Sequence, residues 1–183
     1  MGSKDNANKW FDYSKKHAPE AVSKFVMLWI AFNWEYSEYS DGGFLPEPTT
    51  IRHFCRDRDN RKKLLGYDPF VPNKTEAIKV FKKGPVFDDR YDRYKNSEDS
   101  RVREKYEKAL EKAEAIYEGL KSNEPAVRME NLILTIYQVR CNLFHGSKTP
   151  LGPRETRDSE LIESSAEIME EYMKRLLGRD EWS

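Results

Sequence analysis

One short stretch of the chain combines side-chain types that are suited to binding anions and moving protons. It reads Arg140-Cys141-Asn142-Leu143-Phe144-His145-Gly146 and lies at the end of the most apolar predicted helix. A charged residue on such a helix requires a reason, because ionised groups are seldom buried without partners. His145 directly precedes Gly146, a helix stop, and the negative end of the helix dipole favours its protonated form.

The residues alone leave two interpretations of this stretch open. Five residues on a regular helix separate two side chains by about 140°, so Arg140 and His145 converge only if the helix end relaxes. In the other interpretation both are structural, with Arg140 paired to an acidic neighbour and His145 capping the helix.

The elements that position the stretch are predicted to be helices, and no strand is predicted. The predicted helices span residues 19–39, 50–65, 74–82, 97–121, 125–146 and 159–177. Thr49 or Thr50 is the expected N-cap of the second helix, and Asp158 or Ser159 that of the last. The pattern predicts an all-α, antiparallel bundle of four main helices plus one or two short ones. Residues 1–183 form a single domain in this interpretation, with 44–96 as an insertion or irregular segment.

Composition excludes several function classes. The chain has 183 residues, with 32 Lys and Arg against 32 Asp and Glu, so it is not a simple polycationic nucleic-acid binder. Its longest apolar run, residues 25–32, is shorter than the about 20 residues that cross a membrane. The N-terminus lacks the apolar core of a signal peptide, and Cys55 and Cys141 form neither a disulfide framework nor a zinc motif. We therefore expect a cytoplasmic protein with no membrane partner and no metal or other cofactor.

The stretch Arg140-x4-His145, with Asn142 inside it and Leu-Phe-His-Gly at its end, resembles the signature of the HEPN family (higher eukaryotes and prokaryotes nucleotide-binding domain). The helix order is similar too, since the motif falls on the second-to-last long helix. Residues 28–33, Leu-Trp-Ile-Ala-Phe-Asn, are similar to the early core helix of some bacterial members. The resemblance covers about residues 19–40 and 124–178.

The resemblance implies a metal-independent endoribonuclease that works as a homodimer, with a composite site where two copies meet. It implies that His145 is the general acid or base, that Arg140 clamps the phosphate charge, and that Asn142 orients the histidine or the phosphate. It also implies an RNA substrate, a setting in toxin–antitoxin or antiphage defence, and an antitoxin or other regulatory protein as partner.

The sequence departs from the family pattern at two places. Cys141 stands where many members have a polar residue after the arginine, so Asn142 is the candidate for that role. Ser147 stands where one toxin branch has a tyrosine that its antitoxin modifies. The alternative function is a catalytically silent HEPN-like module that binds RNA, a nucleotide or a protein partner. A further alternative is a helical interaction protein with a coincidental motif.

Residues outside the motif supply secondary candidates. Asn33 and Tyr36 lie on the predicted apolar stripe of the first helix. They are either core residues or residues that support Arg140 from behind. Cys141, next to Arg140, is a third candidate for such a supporting role. The basic residues of the second helix are either a solvated face or RNA contacts: Arg52, Arg56, Lys62 and Lys63. A cluster in the irregular segment could stack on and pair with a single strand: Arg90, Tyr91, Arg93 and Tyr94.

Overall fold

The structure is a computed structural model, and it describes residues 7–9, 11–12, 14, 20–72, 74–144 and 155–179. All regular secondary structure in these ranges is helical, which confirms the all-α prediction for them. The α-helices are α1 (Ala21–Tyr36), α2 (Glu47–Arg56), α3 (Arg58–Leu65), α4 (Ile78–Phe81), α5 (Ser100–Gly119), α6 (Pro125–Phe144) and α7 (Glu155–Leu176). Two 3-10 turns span Ser37–Tyr39 and Asp89–Tyr94. None of the helices in the described ranges is both long enough and apolar enough to cross a membrane.

The chain divides into two compact units. The first unit comprises Met1–Ile78 with Ile162–Ser183, and the second comprises Lys79–Leu161. The Arg140 stretch belongs to the second unit, so the first is described only briefly.

An aromatic cluster fills the core of the first unit. The Phe32 ring meets Phe54 edge-on, with 5.4 Å between the ring centroids, and Trp29 packs edge-on against Phe32 at the same separation. The buried stripe of α1 differs from the predicted one, because Asn33, which was predicted to lie on it, is exposed, whereas Leu28 and Phe32 are buried. Residues 25–32 are apolar throughout, so periodicity alone did not determine which face turns inward.

The predicted helix 50–65 is wrong, since the chain forms two helices there. Asp57 has an extended backbone conformation, and its side chain accepts hydrogen bonds from the backbone N–H groups of Asp59 and Asn60. It therefore ends α2 and caps α3. The predicted cap at Thr49 or Thr50 is also wrong, because α2 begins at Glu47 and carries Pro48 in its first turn.

Two other predicted boundaries are wrong. The last helix begins at Glu155, so Asp158 and Ser159 lie within it rather than capping it. The short helix predicted over 74–82 is limited to α4, with turns on either side.

The second unit is built around α5 and α6. Asp99 caps α5 by accepting a hydrogen bond from the backbone N–H of Arg101. The two helices approach closely where Gly119 faces Asn131, since a Cβ on Gly119 would lie 2.3 Å from the Asn131 amide. Five consecutive residues of α6, Leu132–Ile136, are buried, so the helix is enclosed on every side along that length.

Candidate functional site

The C-terminal end of α6 carries the described part of the Arg140-x4-His145 stretch. Arg140, Cys141, Asn142, Leu143 and Phe144 lie in the last turns of the helix. His145 lies outside the described residues, together with residues 146–154. The geometry of the site is therefore that of its arginine and asparagine and of the segments they contact.

Arg140 lies half-buried against an aromatic ring of its own helix. Its guanidinium carbon is 5.0 Å from the centre of the Phe144 ring, and Nη1 is 4.0 Å from the sulfur of Cys141. Phe144 is 54% exposed, so the stacked pair lies at the surface of the unit. Guanidinium groups stack on aromatic faces and bind phosphate with the edge of the plane, so this arrangement suits an anion-binding role.

Asn142 is buried and links α6 to the segment that precedes the second 3-10 turn. Its side-chain nitrogen donates to the backbone carbonyl of Phe87 at 2.7 Å. Its side-chain oxygen accepts from Gln138 at 2.8 Å and from the backbone N–H of Asp89 at 3.4 Å. These contacts assign Asn142 a positioning role; its predicted role in catalysis stays a prediction.

The 3-10 turn that Asn142 anchors carries alternating charged and aromatic residues. The Asp88 carboxylate binds the Arg90 guanidinium through two contacts, at 2.6 and 2.8 Å, and this raises the pKa of Arg90. The guanidinium of Arg93 lies 4.8 Å from the ring centre of Tyr94 and donates to its hydroxyl. The sequence-predicted group Arg90, Tyr91, Arg93 and Tyr94 is thus brought together in one turn.

A cleft of about 640 Å³ lies between this turn, α5 and α6. Among the described residues, five basic side chains and one carboxylate, that of Asp88, line it. Three of the basic residues come from α5 and were missed by sequence reasoning: Lys105, Lys108 and Lys112. The available signal was their spacing, which places all three on one face of the helix, beside Ala109 and Ala113.

The remaining predicted site residues lie in the first unit, whereas Arg140, Cys141 and Asn142 lie in the second. Tyr36 is buried against Trp29, and its hydroxyl donates to Glu47. Asn33 is exposed, which differs from the predicted position on the apolar stripe. One of the predicted RNA contacts, Arg52, is partly buried. The other three are exposed: Arg56, Lys62 and Lys63.

Two findings bear on cofactors and on family membership, one on metal-binding side chains and one on similar proteins. Among the described residues, no group of three or more His, Cys, Asp or Glu side chains is arranged to hold a metal ion. No family model matches the chain, and neither a curated protein nor a solved structure matches it significantly.

Proposed function

We propose that the protein is a metal-independent endoribonuclease of HEPN-like fold, an antiparallel bundle of four main helices. Arg140 and His145 act on the scissile phosphate in a composite site between the two copies of a homodimer. The observation that carries the proposal is the position of Arg140 in the Arg-x4-His stretch. Its guanidinium lies over the ring of Phe144, an exposed residue at the C-terminal end of the apolar helix α6.

The chemistry accounts for both residue types. When RNA is cut by its own 2′-hydroxyl, the hydroxyl loses a proton to a base and the 5′-oxygen leaves with a proton from an acid. Negative charge builds up on the phosphorane-like transition state and requires a fixed cation. One copy of the chain supplies one histidine at the site. A two-fold axis would bring two His145 and two Arg140 side chains around one phosphate, so that base and acid come from different copies.

The biological setting follows from the resemblance. We place the enzyme in the cytoplasm, in toxin–antitoxin or antiphage defence, with an antitoxin or other regulatory protein to restrain it. The RNA sequence that it cuts is not specified by the motif.

A catalytically silent module that binds RNA or a nucleotide is the second candidate function. The specific observation in its favour is the cleft beside α6, which is lined by basic and tyrosine side chains. The contacts of Asn142 also favour this candidate, because its side chain is already hydrogen-bonded to Phe87, Gln138 and Asp89.

The test is cleavage of a mixed RNA by purified protein in the presence of EDTA. Wild type should cut and leave 2′,3′-cyclic phosphate ends, whereas His145→Ala and Arg140→Ala should not. Arg128→Ala is the matched control, since Arg128 lies on α6 but at the other end, where it donates to the backbone of Ser122. Equal cleavage by His145→Ala would overturn the assignment. A wild type that binds RNA without cutting it would favour the silent module, and a strict monomer would exclude the composite site.

A further inference from the structure

We propose that the cleft between the 3-10 turn Asp89–Tyr94, α5 and α6 is a binding site for a nucleotide. In this site an aromatic base contacts the tyrosine-lined wall and its phosphate contacts the lysines of α5. Among the described residues that line the cleft, Arg140 is absent.

The lysines and the glutamates of α5 differ in their position relative to the cleft, and its two arginines, Arg101 and Arg103, do not line it. All three of its lysines line the cleft: Lys105, Lys108 and Lys112. None of its five glutamates does: Glu104, Glu107, Glu111, Glu114 and Glu118. Three lysines along one concave surface attract an anionic ligand, so their placement favours one in this cleft.

Much of the positive charge in the cleft is not neutralised by the protein. Within the described ranges no carboxylate pairs with Arg93, Lys105 or Lys112. Lys108 is bound to Glu104, 2.6 Å away at the surface, and Arg90 is bound to Asp88. The three cations without a carboxylate partner are therefore the candidate phosphate contacts.

The floor and wall of the cleft suit a flat ring. Small side chains, those of Ala109 and Ala113, leave space over α5, and Ile116 and Leu134 make the adjoining surface apolar. Tyrosine rings supply the wall, and aromatic rings stack on bases in proteins that bind single strands. The residues are Tyr91, Tyr94 and Tyr117. Two of these rings already contact a cation, since Arg93 lies over Tyr94 and Lys121 lies over Tyr117.

Two features further favour a base over a simple anion. The Tyr117 hydroxyl donates to the backbone carbonyl of Lys82, which holds the ring in place against the cleft. Gln138 uses its amide nitrogen to bind Asn142, which leaves its amide oxygen to accept from a ligand. The cleft volume of about 640 Å³ lies in the range of about 300–1,000 Å³ that is usual for small-ligand sites.

Two sources could supply this chemistry: a free nucleotide, or one nucleotide of a single-stranded RNA. Binding does not require cleavage, so the proposal stands if the ribonuclease activity fails. In the RNA case it rests on the proposed function and extends it, because the cleft would then hold the strand beside the Arg140 site.

The experiment measures binding to the full chain carrying His145→Ala, so that RNA stays intact. The probes are adenosine diphosphate, a short single-stranded oligoadenylate and inorganic tripolyphosphate. The test variant is Lys105→Glu with Lys112→Glu. The control is Arg101→Glu with Arg103→Glu, which makes the same charge change on the same helix outside the cleft. Unfolding midpoints of both variants show whether each is folded.

We expect the test variant to weaken nucleotide binding by about tenfold or more and the control by less than about twofold. Tyr91→Leu should weaken adenosine diphosphate binding several-fold and leave tripolyphosphate binding unchanged. Tight binding of adenosine diphosphate would identify a free nucleotide as the ligand, and binding of the oligonucleotide alone would identify an RNA strand. Equal binding by test and control variants, tripolyphosphate binding as tight as that of the nucleotide, or no binding of either nucleotide probe would overturn the proposal.

Discussion

The side-chain amide of Asn142 donates a hydrogen bond to the backbone carbonyl of Phe87 across 55 positions of the chain. The same side chain accepts from the backbone N–H of Asp89, so one buried residue holds both ends of the segment that leads into the 3-10 turn. Asn142 is only 2% exposed and belongs to the Arg140-x4-His145 stretch. The motif and one wall of the cleft are therefore mechanically connected through this residue.

Replacing this residue tests the connection. Asn142→Ala removes the donor to Phe87, and a polar group left without a partner costs about 1–3 kcal/mol of the free energy of unfolding. Nucleotide binding should weaken as well, because the turn that carries Tyr91 and Arg93 loses its anchor. Urea unfolding and titration with adenosine diphosphate measure the two effects.

Asn131→Ala is the matched control for that substitution. Its amide donates to the carbonyl of Val127 within α6, so it makes no hydrogen bond to the 3-10 turn, although its side chain packs against Gly119 of α5. We expect a smaller loss of stability and unchanged nucleotide affinity. Equal losses in the two variants would contradict the anchoring role of Asn142.

The charge of Asp88 should oppose anion binding in the cleft. Asp88→Asn removes the carboxylate that neutralises Arg90 and retains a side-chain oxygen that can still accept from the Arg90 backbone. Affinity for adenosine diphosphate should rise by about two- to tenfold at low salt, because removing one nearby charge is worth about 1 kcal/mol.

Asp92→Asn separates this local effect from a change in net charge. Asp92 lies on the same turn but does not line the cleft. Its replacement should alter affinity by less than about twofold. If both variants raise the affinity equally, general electrostatics rather than the cleft explains the result.

The helical character of the chain could be predicted from local pattern, but the position of α5 in a cleft could not. The sequence predicts a helix over residues 97–121, and α5 occupies most of this range because Asp99 supplies the cap. The lysine face becomes one wall of a cleft because of the turn opposite, which Asn142 holds from a distant part of the chain. Such long-range hydrogen bonds leave no periodic signal in the sequence.

The errors in the prediction have local physical causes. The single predicted helix 50–65 is divided at Asp57, because the side chain of this residue competes for backbone N–H groups. Arg140 was predicted to need a partner, and the structure adds Phe144, an exposed aromatic residue one turn further on. The role of Arg140 in catalysis stays a prediction, since it depends on His145 and on a second copy of the chain.

Phe144 should matter for cleavage and little for stability. Phe144→Leu removes the ring on which the Arg140 guanidinium is stacked, a contact worth about 0.5–1 kcal/mol at an exposed site. If the stack orients Arg140 toward the phosphate, the cleavage rate should fall by about two- to fivefold with an unchanged unfolding midpoint. Phe44→Leu is the control, because Phe44 is also exposed but lies in the other unit. An unchanged rate for Phe144→Leu would show that the stack does not position Arg140.

The division between α2 and α3 should depend on one carboxylate. Asp57→Ala removes the acceptor for the backbone N–H groups of Asp59 and Asn60, and loss of such a cap costs about 1 kcal/mol. Urea unfolding should show this loss, whereas Asp59→Ala, which removes an exposed side chain from the first turn of α3, should cost only a few tenths of a kcal/mol. Equal costs would indicate that general charge, rather than capping, stabilises the junction.

Alkaline pH should destabilise the first unit through two buried tyrosines. Burial, followed by the nearby Glu167, raises the pKa of Tyr67 to about 12, and burial raises that of Tyr172 well above its usual value. An unfolded tyrosine titrates near pH of about 10. Below that pH the native and unfolded states bind the same protons on these residues, and stability is unaffected. Above it the unfolded chain loses protons that the native state retains, so the free energy of unfolding falls as pH rises toward the native pKa.

Urea midpoints measured from neutral pH to the alkaline range check this dependence. In Tyr67→Phe the fall above pH of about 10 should be shallower than in wild type, because one of the two late-titrating hydroxyls is gone. Tyr172→Phe should change the slope in the same direction, and near-ultraviolet absorbance should show two fewer late-ionising tyrosines in the double variant. If both single variants follow the wild-type curve, these two hydroxyls do not control the alkaline unfolding.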